Sequence, residues 1–350
     1  MADVIFSAMS GKNDALFGKF EHPIKALIEN ESNAWEKKKN ILDFLFNVEK
    51  SNNYAETIIG QSDFDTFQAK GEGQRAENDS VEQTYKKTIE HIEFAKEFTI
   101  TRKMAADSKI GMGAQMKAKP AAFVRSYHKT KIKLGEWALA NGTSANGVFN
   151  KATVDLTTGD GLPLFNGAHT YAKKGMKGTQ SNYFYGADLL TTEAGFESFL
   201  NLAANKIRNF KDDNGETMEY TADIVIIPGN RPHLEAIAKK VIGSERTVGS
   251  NNNDINIQYG NWNLVVLTGW QTEDDRCIVM SSEANRNLMA NMFYNREKLD
   301  VRNEVDIHTR NYIWNGYCRF GAGFTTWKHA LLMVDGSTAP SGSNATAIAQ

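Results

Sequence analysis

The chain has 350 residues, 41% of them hydrophobic and 10% aromatic, which is enough apolar material for a sizeable core in one or two domains and excludes global disorder. Lys and Arg number 40 against 42 Asp and Glu, a net charge of −2 with a pI near 6.4, so a protein that grips nucleic acid through its net charge is excluded. Two cysteines, Cys277 and Cys318, exclude a disulfide framework and make a poor zinc site, and no apolar run is long enough to span a membrane.

The first twenty residues, MADVIFSAMSGKNDALFGKF, lack a charged segment followed by an unbroken apolar run, so no secretory signal is read there. The expected setting is a reducing cytoplasm in which both thiols stay free. Residues 24–50 predict a helix, with Ile24, Leu27, Ile28, Trp35, Leu42, Leu45 and Phe46 at three-to-four spacing. The Lys37-Lys38-Lys39 run reads as a solvated face. From Tyr54 to Met104 apolar residues become sparse. Two strand-like segments, Glu56–Gln68 and Glu82–Thr101, flank a polar stretch at 71–83 (GEGQRAENDSVEQ), and Tyr85, Lys87, Ile89 and His91 alternate with polar neighbours. The pattern is that of a long two-stranded arm with too little apolar surface for a core of its own, and so one that must lie on something else.

Residues 104–141 form the longest helical stretch, with an expected break before Pro120 and a firm helix from there to Ala140. Phe123, Tyr127, Leu134, Trp137 and Ala138 share one sector, expected to pack against the strand that carries Tyr312 and Trp314. Arg125, Lys129 and Lys133 form a basic stripe on the other side. That stripe reads either as a solvated, salt-bridged face or as one turned toward an anionic surface such as packaged nucleic acid. After a Gly-, Asn- and Thr-rich stretch to residue 190, a compact α/β unit follows. Phe196, Phe199, Leu200, Ala203 and Ile207 mark a helix, KDDNGE (211–216) a tight turn, and Ile224–Ile227 a strand. Pro232 to Gly243 bound a second helix, and strands follow at Asn263–Leu267 and Cys277–Met280. Phe293 to Val334 is β-like again, with Tyr312, Trp314, Cys318 and Phe320 on one face, and the tail from Ser337 reads as loose.

Motifs for chemistry are missing. The seven histidines show no metal-ligand spacing, no phosphate-binding loop of the Walker type occurs, and Gly71-Glu72-Gly73 lacks the strand and helix a dinucleotide site needs. Asp212 to Gly215 fails as a calcium loop because Phe210 stands where a carboxylate is required. The expectation is a protein that is not an enzyme and has no cofactor and no metal.

The order of parts (helical arm, long β-hairpin, long helix, compact α/β unit, β-rich return) resembles the α+β Hong Kong 97-type fold of tailed-bacteriophage major capsid proteins, and more narrowly the Mu-like major head subunit family. The resemblance covers roughly residues 54–335. It rests on EFTITRKMAADSKIG (97–111), GDGLPLFNGAHTY (159–171), TADIVIIPGNRPHLEAIAKKVIGS (221–244), GNWNLVVLTGW (260–270) and, most strongly, REKLDVRNEVDIHTRNYIWNGYCRFGAGFTTWKHA (296–330).

The resemblance implies an N-terminal arm at 1–53, an extended loop at 54–103 and an axial domain at 191–284. The peripheral domain, with its spine helix, would comprise 104–190 and return at 285–350 with the C-terminal tail. It implies self-assembly into hexameric and pentameric capsomers of an icosahedral shell, located in the virion, assembled in the host cytoplasm and enclosing double-stranded DNA contacted without specificity. A portal protein and a decoration protein are implied partners, and a membrane is not. Relatives with a longer, removable front domain scaffold themselves. Here about fifty residues precede the extended loop, starting from Met1, so the expectation is a separate scaffolding protein. Glu72, Arg75, Glu77 and Asp79 at the loop tip are the expected inter-subunit contacts, and Arg125, Lys129 and Lys133 the lumen- or DNA-facing stripe. An encapsulin-like compartment, which shares the fold but encloses enzymes, is the alternative.

Overall fold

In chain order the computed structural model contains β1 (Val4–Met9), α1 (Gly18–Glu36), α2 (Ile41–Leu45), β2 (Asn47–Lys50), β3 (Ala55–Gln61), β4 (Gln83–Glu90), β5 (Ile92–Ile100), α3 (Arg102–Asp107) and α4 (Ala114–Ala140). There follow β6 (Asn146–Phe149), β7 (Ala152–Asp155), β8 (His169–Thr170), β9 (Thr179–Gln180), β10 (Tyr183–Gly186), α5 (Glu193–Arg208), β11 (Ile224–Pro228) and α6 (Pro232–Gly243). The chain closes with β12 (Asn263–Leu267), β13 (Arg276–Met280), α7 (Ser282–Asn287), β14 (Asn291–Val305), β15 (Tyr312–Phe324), β16 (Ala330–Asp335) and β17 (Thr346–Ala347). The structure describes residues 4–9, 16–38, 40–62, 67–75, 83–107, 114–173, 177–246 and 255–348.

Two sheets organise the body. The first runs β1-β14-β15-β5, with β2 also paired to β14. Its spine is the long antiparallel pair β14–β15, in register from Asn291↔Phe324 to Val305↔Tyr312. The alternation expected of residues 312–320 is met: Tyr312, Trp314, Cys318 and Phe320 are all buried on one face. The long helix α4 lies against that face. Phe123 occupies the gap left by Gly316, where any Cβ would overlap its ring. Phe17, at the start of α1, stacks on Tyr312 at 4.7 Å.

The second sheet runs β12-β11-β13-β16-β10-β17. Within it β11 is buried at every residue, parallel to β12 and antiparallel to β13. The apolar stripe of α5 is wholly buried, and Thr192 caps its start by accepting from Gly195 N at 3.0 Å. Pro232 and Gly243 bound α6 as the sequence predicts. KDDNGE is the expected tight turn: Asp212 Oδ1 accepts from Asn214 N and Glu216 N, both at 2.9 Å, around Gly215 at φ 93°. This sheet crosses the boundaries drawn from sequence, because β10, β16 and β17 fall outside 191–284 yet extend it.

Several expectations change. The helix predicted over 24–50 is two helices and a strand. Asn40 is extended and its side chain accepts from Leu42 N, which starts α2 afresh, while Asn47–Lys50 pairs in parallel with Met292–Asn295. A ladder to the body sheet outweighs the helical periodicity there. Pro120 does not break α4; the helix runs through it, losing one N–H while the tertiary packing of Phe123 and Val124 holds the turn. Upstream, α3 is described to Asp107 and α4 from Ala114, and Gly111 and Gly113 lie outside the described residues. Residues 92–100 are not arm: β5 pairs antiparallel with β15 from Ile92↔Phe320 to Ile100↔Tyr312. The tail is not loose at its end, since β17 pairs with β10 and Ile348 is buried. Trp137 packs on the β6–β7 hairpin, 5.5 Å from Phe149 and over Gly147, and it is Phe123 that seats on β15.

Candidate assembly surfaces

The arm is the two-stranded sheet β3–β4, in register from Ala55↔Glu90 to Gln61↔Gln83 with a bulge between Ile59 and Gln61. Its inner face carries the alternating residues predicted from sequence, and they bind the protein's own body. Lys87 Nζ donates to Asp155 Oδ2 at 2.6 Å and to Thr157 Oγ1 at 2.7 Å. The Tyr85 hydroxyl lies 2.8 Å from Thr170 Oγ1 and donates to Tyr171 O at 2.9 Å. Ile89 and Ile58 form a small apolar cluster with Met292 and Tyr294. Burial raises the carboxyl of Asp155, but the Lys87 and Thr157 hydrogen bonds outweigh it and hold the group below the usual carboxylate range. The outer face is polar, with Thr57 and Thr88 hydrogen-bonded across the strands at 3.0 Å.

Residues 67–75 are exposed throughout, Phe67 completely so. Glu72 and Arg75 sit at a turn in which Gln74 N donates to Gly71 O at 3.2 Å and Gly73 takes a left-handed φ of 77°. Glu77 and Asp79 lie outside the described residues. On α4, Arg125, Lys129 and Lys133 are all exposed along one side. Arg125 Nη1 pairs with Glu31 Oε1 of α1 at 3.3 Å, an exposed contact of about 0–1 kcal/mol.

The most tightly built polar cluster is one that sequence reasoning did not single out as a site, although both its charged members lie in GDGLPLFNGAHTY. His169 Nδ1 lies 2.7 Å from Asp160 Oδ2, and Nε2 lies 3.2 Å from Asn182 Oδ1. Asn182 Nδ2 donates to Leu164 O and Ala330 O, and Asn166 N donates to its Oδ1, so the amide oxygen faces the ring. Both ring nitrogens therefore face oxygen atoms, Asp160 Oδ2 on one side and Asn182 Oδ1 on the other. Burial raises the Asp160 carboxyl, while His169, Thr158 Oγ1 and Leu162 N together hold it below the usual range. Trp327 stacks on the ring at 4.5 Å. Every polar atom of the pair is consumed in holding structure together.

His329, two residues beyond Trp327, is fully buried, and among the described residues neither ring nitrogen meets a hydrogen-bond partner of good geometry. Burial pushes it down to about 3, the nearby Thr326 backbone offsetting little of this. The unfolded chain takes up a proton near pH 6.5 and the folded one does not, so stability is full above about pH 6.5 and falls by up to ~1.4 kcal/mol per pH unit down to the folded value. His329→Leu is expected to make that acid slope shallower in urea titrations across this window; an unchanged slope would count against it.

Cys277 and Cys318 are buried in different sheets and form no disulfide, and burial pushes the Cys277 thiol far up. Among the described residues no group of three or more His, Cys, Asp or Glu is arranged to hold a metal, and no helix is long and apolar enough to cross a membrane.

No family model matches the chain, and none of the curated proteins does. Solved structures do. A chain of Mycobacterium phage Patience superimposes with a TM-score of 0.52 at 13% identity, over 97% of this chain and 93% of that one. The capsid of Ralstonia phage GP4 gives 0.52 at 10% identity, over 88% and 93%. The capsid of Cyanophage P-SCSP1u gives 0.51 at 13%, over 86% and 89%. At such identities the likeness speaks to fold, and the fold is the α+β Hong Kong 97 type of tailed-phage capsid subunits.

Proposed function

We propose that the chain is the major capsid subunit of a tailed phage. It self-assembles into hexamers and pentamers of an icosahedral shell around double-stranded DNA, and it carries no catalytic activity. The observation that carries this reading is the arm: a two-stranded extension fastened at its root, with an exposed tip for which this chain supplies no partner among the described residues. Such a tip is suited to lie across a neighbouring copy, with Glu72 and Arg75, and Glu77 and Asp79 beyond them, forming ion pairs across the rim. On this reading residues 1–53 are the N-terminal arm, 54–91 the extended loop, since Ile92–Ile100 joins the body sheet, and 191–284 the core of the axial domain, whose sheet β10, β16 and β17 extend. The rest of 92–190 and 285–350 forms the peripheral domain with its spine helix and tail. Lys129 and Lys133, with Arg125, face the lumen and its DNA without sequence preference. The Mu-like major head family, a separate scaffolding protein, a portal and a decoration protein complete the reading, with assembly in the host cytoplasm.

Negative-stain microscopy of the expressed chain, with scaffold where required, is expected to show closed particles, and nuclease-resistant DNA is expected in particles from infected cells. Deleting residues 71–82 is expected to leave a soluble, folded body by circular dichroism but no particles in sedimentation velocity. Particles of normal size from the deletion would overturn the role of the arm, and a monomeric full-length chain under all conditions would overturn the whole reading.

A further inference from the structure

The chain passes between body and arm twice. It leaves β2 and enters β3 through residues 51–54, and it returns from β4 to β5 through His91 alone. The two crossings are fastened to each other. His91 Nε2 lies 2.9 Å from Ser51 Oγ, and that oxygen lies 2.6 Å from Glu56 Oε1 on β3. An ionised carboxylate only accepts, so the Ser51 hydroxyl donates to Glu56 and its oxygen receives Nε2–H from His91. Nε2 thus carries a proton, and in the neutral ring Nδ1 is bare. Nδ1 is buried and has no hydrogen-bond partner among the described residues. Tyr294 meets the ring edge-on at 6.1 Å, and a Cβ on Gly321 would stand 3.4 Å from Nδ1.

We propose that His91 is an acid-sensitive clamp at the root of the arm: its neutral ring ties the two crossings together, and protonation releases the arm from the body. The charges around the ring set the direction. Glu56 on β3 attracts a positive ring, whereas Arg296 on β14 and Arg319 on β15 repel it. Glu93 and Glu297 are engaged by Arg319 itself, at 3.5 and 3.9 Å, and Glu49 and Glu56 both act on Tyr294. A proton on Nδ1 becomes a buried donor with no acceptor. Burial is the largest influence and lowers the pKa of His91; Glu56 raises it, and the two arginines lower it further.

In an opened arm the ring is solvated and titrates near ~6.5. Between that value and the lower one of the closed arm, each unit fall in pH favours opening by up to about tenfold. Asp155, held below the usual carboxylate range, keeps its ion pair with Lys87 across this window, so His91 is the group that changes at the root.

The inference concerns the subunit alone and stands whether or not the chain assembles. Hydrogen-exchange mass spectrometry of the full chain at about pH 7.5 and about pH 5, corrected for intrinsic exchange, reads the opening directly. Segments 55–61 and 83–90 are expected to be protected at the higher pH and to open about tenfold or more faster at the lower. His91→Gln keeps a donor for Ser51 but takes no proton, and is expected to stay clamped at both. Equal protection of the native chain at the two pH values, or pH dependence surviving in H91Q, overturns the proposal. Should that variant not fold, histidine C2–H exchange on the native chain decides instead: titration of His91 clearly below ~6.5 supports the clamp, and titration at or above it overturns it.

Discussion

Asp160→Ala is expected to destabilise the protein by about 3–5 kcal/mol, the cost of breaking a buried ion pair and leaving one charge behind. That is a large share of the ~5–15 kcal/mol typical of a folded domain. The two side chains are 0% and 1% exposed, so solvent screens neither. Without the carboxylate, His169 Nδ1 loses its partner and Leu162 N its acceptor, while Thr158 Oγ1 keeps only its longer bond to Leu162 O at 3.2 Å. Asp160→Asn should cost much less, because its amide oxygen still serves Leu162 N while its NH₂ donates to a neutral His169. The ordering, Ala worse than Asn, is what urea denaturation should report. Equal losses would mean that the site needs only shape, and an unaffected Ala variant would remove the pair from the fold's essential contacts. The carboxylate's folded pKa lies below its unfolded one, so its contribution is full above the unfolded value near 4 and is lost only as pH falls through the folded one.

Phe320→Ala is expected to cost a similar ~3–5 kcal/mol. Phe320 of β15 is 1% exposed at the centre of an aromatic cluster that joins four elements, facing Phe94 of β5 at 4.5 Å, Phe293 of β14 at 5.8 Å and Tyr127 of α4 at 6.5 Å. Removing the ring opens a cavity where helix and sheet meet, and no single neighbour can close it, because each is held by a different element. The result should be insoluble protein, or a denaturation midpoint far below that of the native chain. Trp137→Ala is the informative contrast. Trp137 is half-buried against the short β6–β7 hairpin, so its loss should be smaller and confined to that hairpin. A larger loss for Trp137 than for Phe320 would put the centre of the core elsewhere.

Where an element's own period carried the information, the sequence was sufficient. The buried face of YIWNGYCRF, the apolar stripe of α5, the Pro232 and Gly243 bounds of α6, the KDDNGE turn and the alternation of Tyr85, Lys87, Ile89 and His91 were all legible, because each follows from backbone geometry over a few residues. The fold class came instead from the resemblance of whole segments to capsid subunits, and the solved structures share that fold. The misread pieces share one physical feature: their state depends on a partner far along the chain. Asn47–Lys50 continues a helical pattern and yet becomes a strand, because Met292–Asn295 offers an open ladder edge. Ile92–Ile100 alternates as well as any arm strand, but β15 claims it, and the arm therefore ends at His91.

For the candidate sites the division is sharper. Composition and patterning set the polar, exposed character of Glu72 and Arg75 and the basic side of α4. Only the tertiary structure laid the arm's root on its own body through Lys87 and Asp155, 68 residues apart. It likewise closed Asp160 on His169 and bound Ser51 to His91 across 40 residues. Local sequence sets which face of a segment is apolar, since that depends on a period of two or 3.6 residues. Which polar atoms end up buried together, and so which protons they must hold, depends on desolvation by elements that no local window contains.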